Sequence, residues 1–378
     1  MEITFTPFDS NDIPAVERFN QRFRDADGYF SFSEKEISRI YQKNEHTKLF
    51  FEFYLAKDEK GEIRGGYYLK NQEFFLKKEP IEIVFMQLPL SEGVINADYR
   101  PVGPLIFEDM EKRRKLVFVL GMGGFQYPLP KRLMKIGWFM YPVPFHFFIN
   151  NSRAFLRDFE YIKTLKKSFT KKILINFIKI FGLLVLFTGM HRAYTAICRF
   201  IKSKTYNGVQ AEIIEEFSDF ADTIWEESKN YYSIVAKRDQ HVLNQLYPKT
   251  SPKFHRLKIT KNNVCIGWVV LLCTQMNGDK YFGNLKLGSI IDAFSKPEYA
   301  GLLIHQSVKY LKNLKADLTV INHANVNWCS HLRKNGFLKG PSNFIFGISK
   351  RIKEYYKDNI DFENSFIMRG DGDGPINL

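Results

Sequence analysis

The sequence is poor in the features that mark disulfide-rich proteins, metalloenzymes and the common hydrolases. Its 378 residues include only 4 cysteines, and no two of them form a CxxC pair. This spacing predicts reduced, buried thiols rather than disulfides or a zinc site. The chain also has no GxSxG, HExxH or Walker motif, and its histidines show no ligand spacing with cysteine or carboxylate. We therefore expect neither a metal nor the chemistry that these motifs support.

Long apolar runs are equally scarce. The first residues contain acidic side chains and no unbroken apolar core, so we expect a cytoplasmic protein without a secretory signal. One exception is the stretch from 173 to 190, which is broken only by Asn176, Lys179 and Thr188. It is open to three interpretations: a helix buried between two domains, a helix bound at a membrane interface, or a membrane span. Basic residues between 163 and 204 would suit anionic headgroups at the inner face of the membrane.

Charge of one sign predominates. The chain has 55 Lys and Arg against 41 Asp and Glu, which gives a net charge of +14. This excess favours an anionic partner, which could be nucleic acid, an anionic membrane surface or a phosphate-bearing ligand. Hydrophobic residues make up 45% of the chain and aromatic residues 16%, enough for two substantial cores.

Two stretches about 200 residues apart carry the same order of hairpin, buried strand, helix, glycine and aromatic residue. Gly65 lies 72 positions before Gly137, and Gly267 lies 69 positions before Gly336. Such an internal echo predicts one domain built twice. Each helix is expected to end where its closing glycine adopts a left-handed conformation, with Trp138 or Phe337 covering the core.

The predicted fold class is α/β (α+β), with two domains that each have a mixed central sheet flanked by helices. Periodicity gives each half one strand, two helices, three strands, a helix, a strand, a helix and a closing strand. The closing strands are FHFFI, Phe145 to Ile149, and FIFGIS, Phe344 to Ser349. The predicted boundaries are an N-terminal domain at 1–155, a basic helical connector at 156–206, a C-terminal domain at 207–352 and a C-terminal tail at 353–378. The end of this tail, from Phe366 onwards, is expected to be flexible.

In this order of elements the chain resembles the GNAT acyltransferases, here as a tandem pair. The most diagnostic segment is NVNWCSHLRKNGF, Asn325 to Phe337, which looks like the last helix of that family with the glycine and aromatic residue that follow it. The resemblance covers nearly the whole chain as element order, but it rests on short stretches of sequence. It implies an acyl-CoA co-substrate such as acetyl-CoA.

GNAT enzymes hold the pyrophosphate of acyl-CoA on backbone amides of a Q/R-x-x-G-x-G/A loop at the start of a helix. The resemblance places RPVGPL, Arg100 to Leu105, at this position in the first half. The implied binding residues are Arg100, Val102, Gly103 and Leu105. Leu105 departs from the pattern, and two prolines remove amide donors, so a plain strand-to-helix turn is the alternative. The second half has no matching arginine.

The resemblance also implies a tyrosine four positions before each closing glycine, where it would protonate the leaving thiolate. Leu133 and Leu332 stand there instead, so the usual general acid is missing from both halves. As proton acceptors the sequence offers Glu92, Asp292 and His323, each at or just after the end of a strand. A histidine can also shuttle protons near neutral pH. A solvated strand end is the alternative for each of them.

The leading hypothesis is an acyl-CoA-dependent N-acyltransferase acting on an amino sugar or a lipid-linked intermediate of surface polysaccharide assembly. Two alternatives stay open. One is a Fem-like aminoacyl transferase, which would take aminoacyl-tRNA; otherwise a nucleic-acid partner is not expected. The other is an inactive, membrane-associated binding protein. In the tail, Asp371 and Asp373 lack the further ligands of a calcium loop.

Overall fold

The computed structural model describes residues 2–28, 30–33, 46–155, 157–158, 206–356 and 360–373. Three predicted features lie outside these ranges: the segment 173–190, nearly all of the connector, and the second of the two helices predicted for the first half, which would begin after Ser33. So do Cys198 and the last residues, 374–378. The three interpretations of 173–190 therefore stay predictions.

The described residues up to Ile149 form seven strands and three helices. The strands are β1 (Thr4–Pro7), β2 (Phe50–Lys57), β3 (Ile63–Leu76), β4 (Glu79–Ser91), β5 (Val117–Gly121), β6 (Phe139–Pro142) and β7 (Phe145–Ile149). The helices are α1 (Ile13–Asp25), α2 (Val102–Arg113) and α3 (Pro128–Lys135). Short 3-10 turns at Glu92–Val94 and Ala97–Tyr99 link β4 to α2.

Among the described residues, the second part repeats this order and adds the short strand Ile234–Ala236 and the helices Gln240–Leu246 and Lys350–Tyr356. Its strands are β8 (Val209–Ile214), β9 (Ile234–Ala236), β10 (His255–Lys261), β11 (Val264–Gln275), β12 (Lys286–Ser295), β13 (Leu318–Asn322), β14 (Leu338–Gly340) and β15 (Ile345–Ile348). Its helices are α4 (Asp219–Ser228), α5 (Gln240–Leu246), α6 (Ala300–Asn313), α7 (Val326–Lys334) and α8 (Lys350–Tyr356).

These elements build two compact units, each around one mixed sheet. Unit 1 comprises Met1–Pro142, Ile234–Lys237 and Asn343–Asp361, and unit 2 comprises Val143–Ser233, Arg238–Ser342 and Phe362–Leu378. The sheet of unit 1 has the order β1-β2-β3-β4-β5-β15-β6, with β9 paired to β3. The sheet of unit 2 has the order β14-β7-β13-β12-β11-β10-β8. The predicted fold class, two mixed sheets flanked by helices, is confirmed.

The closing strands do not belong to the sheets of their own halves, and here the sequence prediction was wrong. FHFFI, now β7, pairs with β13 and β14 in unit 2. FIFGIS supplies β15, which lies between β5 and β6 in unit 1. The compact units therefore depart from the predicted boundaries at 155 and 207. An apolar pattern indicates a strand but does not specify which strands it pairs with, so the local sequence could not choose between the two sheets.

The two predicted glycine turns are confirmed. Gly137 has a φ of 91° and Gly336 a φ of 87°, the left-handed region that favours glycine. In each case the following residue donates its amide back to the helix, Trp138 to Leu133 O at 3.0 Å and Phe337 to Leu332 O at 3.0 Å. Both aromatic side chains are buried.

Two further expectations need correction. Much of the tail is ordered within the sheet framework of unit 2, because Phe362–Asn364 and Arg369–Asp371 form 3-10 turns and Asp371 is buried. Cys329 is buried as predicted, but Cys265 and Cys273 are only half-buried. Among the described residues, no helix is long and apolar enough to cross a membrane.

Candidate functional site

Unit 1 contains a gap at the carboxyl ends of two parallel strands. β4 and β5 pair only at Val84 with Val117 and at Phe85 with Phe118. Beyond these pairs β4 continues to Ser91 and β5 to Gly121, without hydrogen-bonding to each other. We call the space beyond Phe85 and Phe118 the unit 1 gap. The carboxyl ends of parallel strands are where open α/β sheets usually bind their ligands.

A β-bulge borders this gap. Gly66 of β3 pairs with Leu90 of β4, and Tyr68 pairs with Gln87. Two residues of β4, Leu88 and Pro89, therefore lie opposite the single residue Tyr67 of β3. Leu88 has a φ of 48°. A bulge withdraws backbone groups from the ladder and leaves them available for other partners. Leu88 is half-buried rather than enclosed, so the bulge offers backbone polar groups at the edge of the gap.

The N-terminus of α2 lies in the same unit. Its cap residue, Pro101, provides no side-chain hydrogen bond, and Leu105 already donates its amide to Pro101 O at 3.3 Å. Pro104 has no amide proton. Val102 and Gly103 thus supply the first two amide groups at the positive end of the helix dipole. Of the four predicted binding residues, the amides of these two fit an anion; the Arg100 side chain is exposed in the preceding turn.

Arg132 of α3 is a residue that sequence analysis missed. A methyl group added at Gly103 would lie 3.7 Å from Arg132 Nη1, so the guanidinium stands beside the N-terminus of α2. The side chain of Arg132 is exposed and able to meet a ligand. The signal was the basic stretch PKRLMK, but nothing local indicated that it reaches a helix 29 positions earlier. A cation next to a helix N-terminus is well suited to phosphate.

Glu92 is buried just after β4 and is held by two arginines. Its Oε2 accepts from Arg22 Nη2 at 3.0 Å, and its Oε1 accepts from Arg64 Nη1 at 3.1 Å. Sequence analysis offered Glu92 as a proton acceptor. A carboxylate shared between two guanidinium groups is better placed to fix their positions.

Glu92 acts on the start of α2 through its neighbours. The Arg64 guanidinium lies 4.2 Å from the ring centroid of Tyr99, an arrangement typical of cation–π contact. Gly93 packs so closely that an added methyl would lie 2.5 Å from Tyr99 O and 2.7 Å from Arg100 Cα. The turn that begins at Glu92 therefore supports the turn from which α2 begins.

Unit 2 has the equivalent gap. β12 and β13 pair in parallel at three positions, the last being Ser289 with Val320. Ile291 of β12 forms a bulge, because Val270 pairs with Asp292 and Leu271 with Ile290. We call the space beyond Ser289 and Val320 the unit 2 gap. Unlike the bulge in unit 1, its border is fully buried.

Asp292, a predicted base, lies at this border in a buried polar cluster. Its Oδ1 accepts from Arg238 Nε at 3.1 Å, and its Oδ2 accepts from the Tyr247 hydroxyl at 2.8 Å. Arg238 also donates through Nη2 to Asp371 Oδ1 at 2.7 Å. Burial raises the pKa of Asp292 to about 6, with Asp371 adding to the rise and Arg238 opposing it.

His323, also a predicted base, follows β13 in the same unit. Its Nδ1 accepts from the Asn325 amide at 3.0 Å, and its ring stacks on Trp328 with centroids 4.8 Å apart. Burial, together with the charge of Arg238 and the proximity of His146, holds the pKa of His323 well below its usual value. The imidazole is therefore neutral near pH 7, and Nε2 has no hydrogen-bond partner among the described residues.

The predicted bases are divided between the two units. Asp292 and His323 share the cluster in unit 2, whereas Glu92 belongs to unit 1. Arg238 and Tyr247 complete the cluster, and sequence analysis missed both because neither stands in a recognisable motif. Both leucines at the expected tyrosine positions, Leu133 and Leu332, are core residues with no exposure. In the described part of the chain, no group of three or more His, Cys, Asp or Glu could hold a metal ion.

No protein-family model matches this sequence. No curated protein matches it either. Solved structures, by contrast, match along almost the entire chain. One is the Saccharomyces cerevisiae N-myristoyltransferase with bound myristoyl-CoA, which is 8% identical with a TM-score of 0.52, over 92% of this chain and 82% of that one.

Two further matches belong to GNAT proteins. A tandem GNAT protein from the clavulanic acid biosynthesis pathway is 10% identical with a TM-score of 0.51, over 93% of this chain and 99% of that one. A GCN5-related N-acetyltransferase from Anabaena variabilis is 8% identical with a TM-score of 0.54, over 92% of this chain and 72% of that one. Identities this low establish the architecture, and the protein has a tandem GNAT-like fold.

Proposed function

We propose that this protein is an acyl-CoA-dependent N-acyltransferase that binds acyl-CoA in unit 1. The observation that carries the proposal is the separation of β4 and β5 after two pairs, next to the N-terminus of α2 and the Arg132 guanidinium. The fold supports it, since acyl-CoA is bound in one of the matching structures. The fold alone does not assign an activity to a chain.

The residues of unit 1 divide the binding of such a molecule between them. The amides of Val102 and Gly103, with Arg132 and Arg100 nearby, suit the pyrophosphate because they combine a helix dipole with cations. The backbone at the Leu88 bulge suits the polar groups near the thioester. Bound acyl-CoA would supply the thioester whose carbonyl carbon the acceptor amine attacks, so that an amide forms and the thiol of CoA leaves.

Glu92 serves in this proposal as a positioning residue rather than as the base. Its ion pairs with Arg22 and Arg64 hold the turn that precedes α2. Asp292 and His323 lie in unit 2 with almost no exposure. We propose for them a structural role in the buried cluster, so the proton acceptor for the amine is not among the three residues predicted from the sequence.

The acceptor we propose is an amino sugar, free or in a lipid-linked intermediate of surface polysaccharide assembly. This rests on the resemblance to GNAT enzymes and on the net charge of +14, which suits a phosphate-linked molecule. Release of CoA thiol can be followed with glucosamine and with nucleotide-linked amino sugars as acceptors. No release above the rate of thioester hydrolysis with any amine would contradict this acceptor class.

Calorimetry with acetyl-CoA and longer acyl-CoAs tests binding directly. Arg132→Ala should weaken binding about 10-fold or more, because a charge-assisted contact to phosphate contributes about 1.5–3 kcal/mol. Lys131→Ala is the matched control: Lys131 is an exposed cation on the same helix, and we expect little change. Equal effects of both variants would show that only overall charge matters, and no binding to the wild type would remove the proposal.

The two alternatives predict different results. A Fem-like transferase would bind aminoacyl-tRNA and release tRNA, whereas an inactive protein would bind acyl-CoA or neither molecule without turnover. The proposed contact with an anionic membrane through residues 163–204 is separate. Vesicle flotation of the full chain and of a chain lacking 171–190 tests it, and equal flotation of the two would remove that segment from the proposal.

A further inference from the structure

The C-terminal segment Phe362–Asp371, here called the closing segment, extends across the unit 2 gap. On the β13 side, Ala324 donates its amide to Ile367 O at 3.1 Å, and His323 forms an isolated antiparallel bridge with Met368. On the β12 side, a methyl group added at Gly370 would lie 2.9 Å from Asp292 Oδ2. The segment therefore contacts both strands beyond the point where they separate.

An aromatic anchor fixes the segment. Phe366 is fully buried. Its ring lies edge-on to those of Tyr232, Phe294 and His323, with centroids 4.7, 5.1 and 4.7 Å away. The Arg238 guanidinium lies 4.8 Å from the same ring centroid. Burying an aromatic side chain in such a cage stabilises the segment against leaving the gap.

Arg238 binds the carboxylate of Asp371 in the closing segment. The guanidinium is 1% exposed and holds one carboxylate that belongs to the sheet, Asp292, at 3.1 Å. It holds a second carboxylate, Asp371, at 2.7 Å, and that one arrives from 133 positions along the chain. A buried guanidinium of this kind binds carboxylates in a fixed geometry.

The fit around Gly370 is as close as that of a bound ligand. An added methyl would lie 2.3 Å from the Tyr247 hydroxyl oxygen, so no side chain can be accommodated there. At the other side the fit is incomplete. Three buried atoms, Asn322 Nδ2, His323 Nε2 and Asn325 Nδ2, have no hydrogen-bond partner in the described part of the chain. The gap is thus lined by more polar groups than the closing segment satisfies.

We propose that the closing segment is a resident ligand of unit 2: Arg238 forms a carboxylate-binding site that Asp371 occupies, and acyl-CoA is therefore bound only once, in unit 1. The carboxylate site rests on the geometry of unit 2 alone. The stoichiometry rests on the proposed function.

Chemical rescue tests the carboxylate site. Asp371→Gly should lower the thermal midpoint by roughly 5–15 °C, because it leaves a buried charge with one partner fewer. Acetate at about 100 mM should restore several degrees relative to chloride at the same ionic strength, since it binds the folded state. Wild type and Glu363→Ala, a change at an exposed acid of the same segment, should gain little from acetate.

If acetate stabilises Asp371→Gly no more than it stabilises wild type, the carboxylate site is wrong. Should that variant not fold, Asp371→Ala serves with the same acetate comparison, because it also vacates the position of the carboxylate beside Arg238. Calorimetry on the wild type then decides the second part: one acyl-CoA per chain is expected, and two would show that the closing segment does not fill the gap. No binding at all would remove the proposed function but leave the acetate result to stand.

Discussion

Arg238 and Asp371 are 133 positions apart in sequence, yet the guanidinium donates to the carboxylate at 2.7 Å with both side chains buried. This contact ties the end of the described chain to the turn before α5. Asp292 shares the same guanidinium, so the ion pair is part of a three-member cluster rather than an isolated bridge.

The contributions of Arg238 and Asp371 to stability should be coupled. Arg238→Met leaves two buried carboxylates without their guanidinium, which we expect to lower the free energy of unfolding by about 3–5 kcal/mol. In Arg238→Met combined with Asp371→Asn, the loss should be clearly smaller than the sum of the single losses. Urea denaturation of all four proteins measures this coupling, and additive losses would show that the two residues do not act as a pair.

Gly103 and Gly65 should respond in opposite ways to an added methyl group. At Gly103 the methyl meets atoms no closer than 3.7 Å, so Gly103→Ala should leave stability unchanged or raise it by up to about 1 kcal/mol. At Gly65 it would lie 2.7 Å from Leu90 O, and we expect a loss of roughly 1–3 kcal/mol. Thermal melting compares the two variants.

The same Gly103→Ala variant should bind acyl-CoA more weakly, because the methyl would lie at the first turn of α2 and 3.7 Å from Arg132 Nη1, next to the proposed phosphate position. Calorimetry under the conditions used for wild type measures the change. Unaltered affinity in a stable Gly103→Ala protein would place the anion elsewhere.

Leu133 and Met134 are neighbours on α3 with opposite environments. Leu133 is enclosed in the core of unit 1, whereas Met134 is 41% exposed. Leu133→Ala should cost about 2–5 kcal/mol and Met134→Ala less than about 0.5 kcal/mol. Leu133→Tyr should destabilise the protein without raising turnover, because its hydroxyl would enter the core. A gain in acyl transfer from that change would show that the position reaches the substrate.

His146 should make unit 2 sensitive to acid. Burial, with the nearby charges of Lys339 and Arg333, lowers its pKa from 6.5 to about 4. Between pH 6.5 and 4, His146 is protonated in the unfolded chain but not in the folded protein. The free energy of unfolding therefore decreases as pH falls, by up to about 3 kcal/mol. His323 acts in the same direction. The raised pKa of Asp292 acts in the opposite one, because a group protonated more readily in the folded state gains stability as pH falls from about 6.

His146→Phe should therefore flatten the dependence of unfolding free energy on pH between about 6.5 and 4. Urea titrations at several pH values, with wild type in parallel, provide the comparison. Profiles that stay parallel would show that the pKa of His146 is the same in the folded and unfolded states.

Sequence patterns predicted much of the local structure. Alternating apolar residues placed the strands, and the rule that helices end at left-handed glycines located Gly137 and Gly336. These features depend on neighbouring residues and so can be read locally. The candidate site was harder to predict. The resemblance implied the amides of Val102 and Gly103 as binding groups, and this stays a prediction. Arg132 and Arg238 were not predicted, because each meets its partners through contacts between residues distant in sequence.

The exchange of β7 and β15 means that the duplicated halves are not separable modules. A fragment ending within 156–206 would carry β7 without β13 and β14, and it would leave β5 and β6 without the strand that lies between them. The complementary fragment would have the reverse deficits. Neither piece should fold alone, yet the two together contain every pairing. Co-expressed fragments should consequently assemble by complementation, because each half supplies a strand that the sheet of the other unit needs.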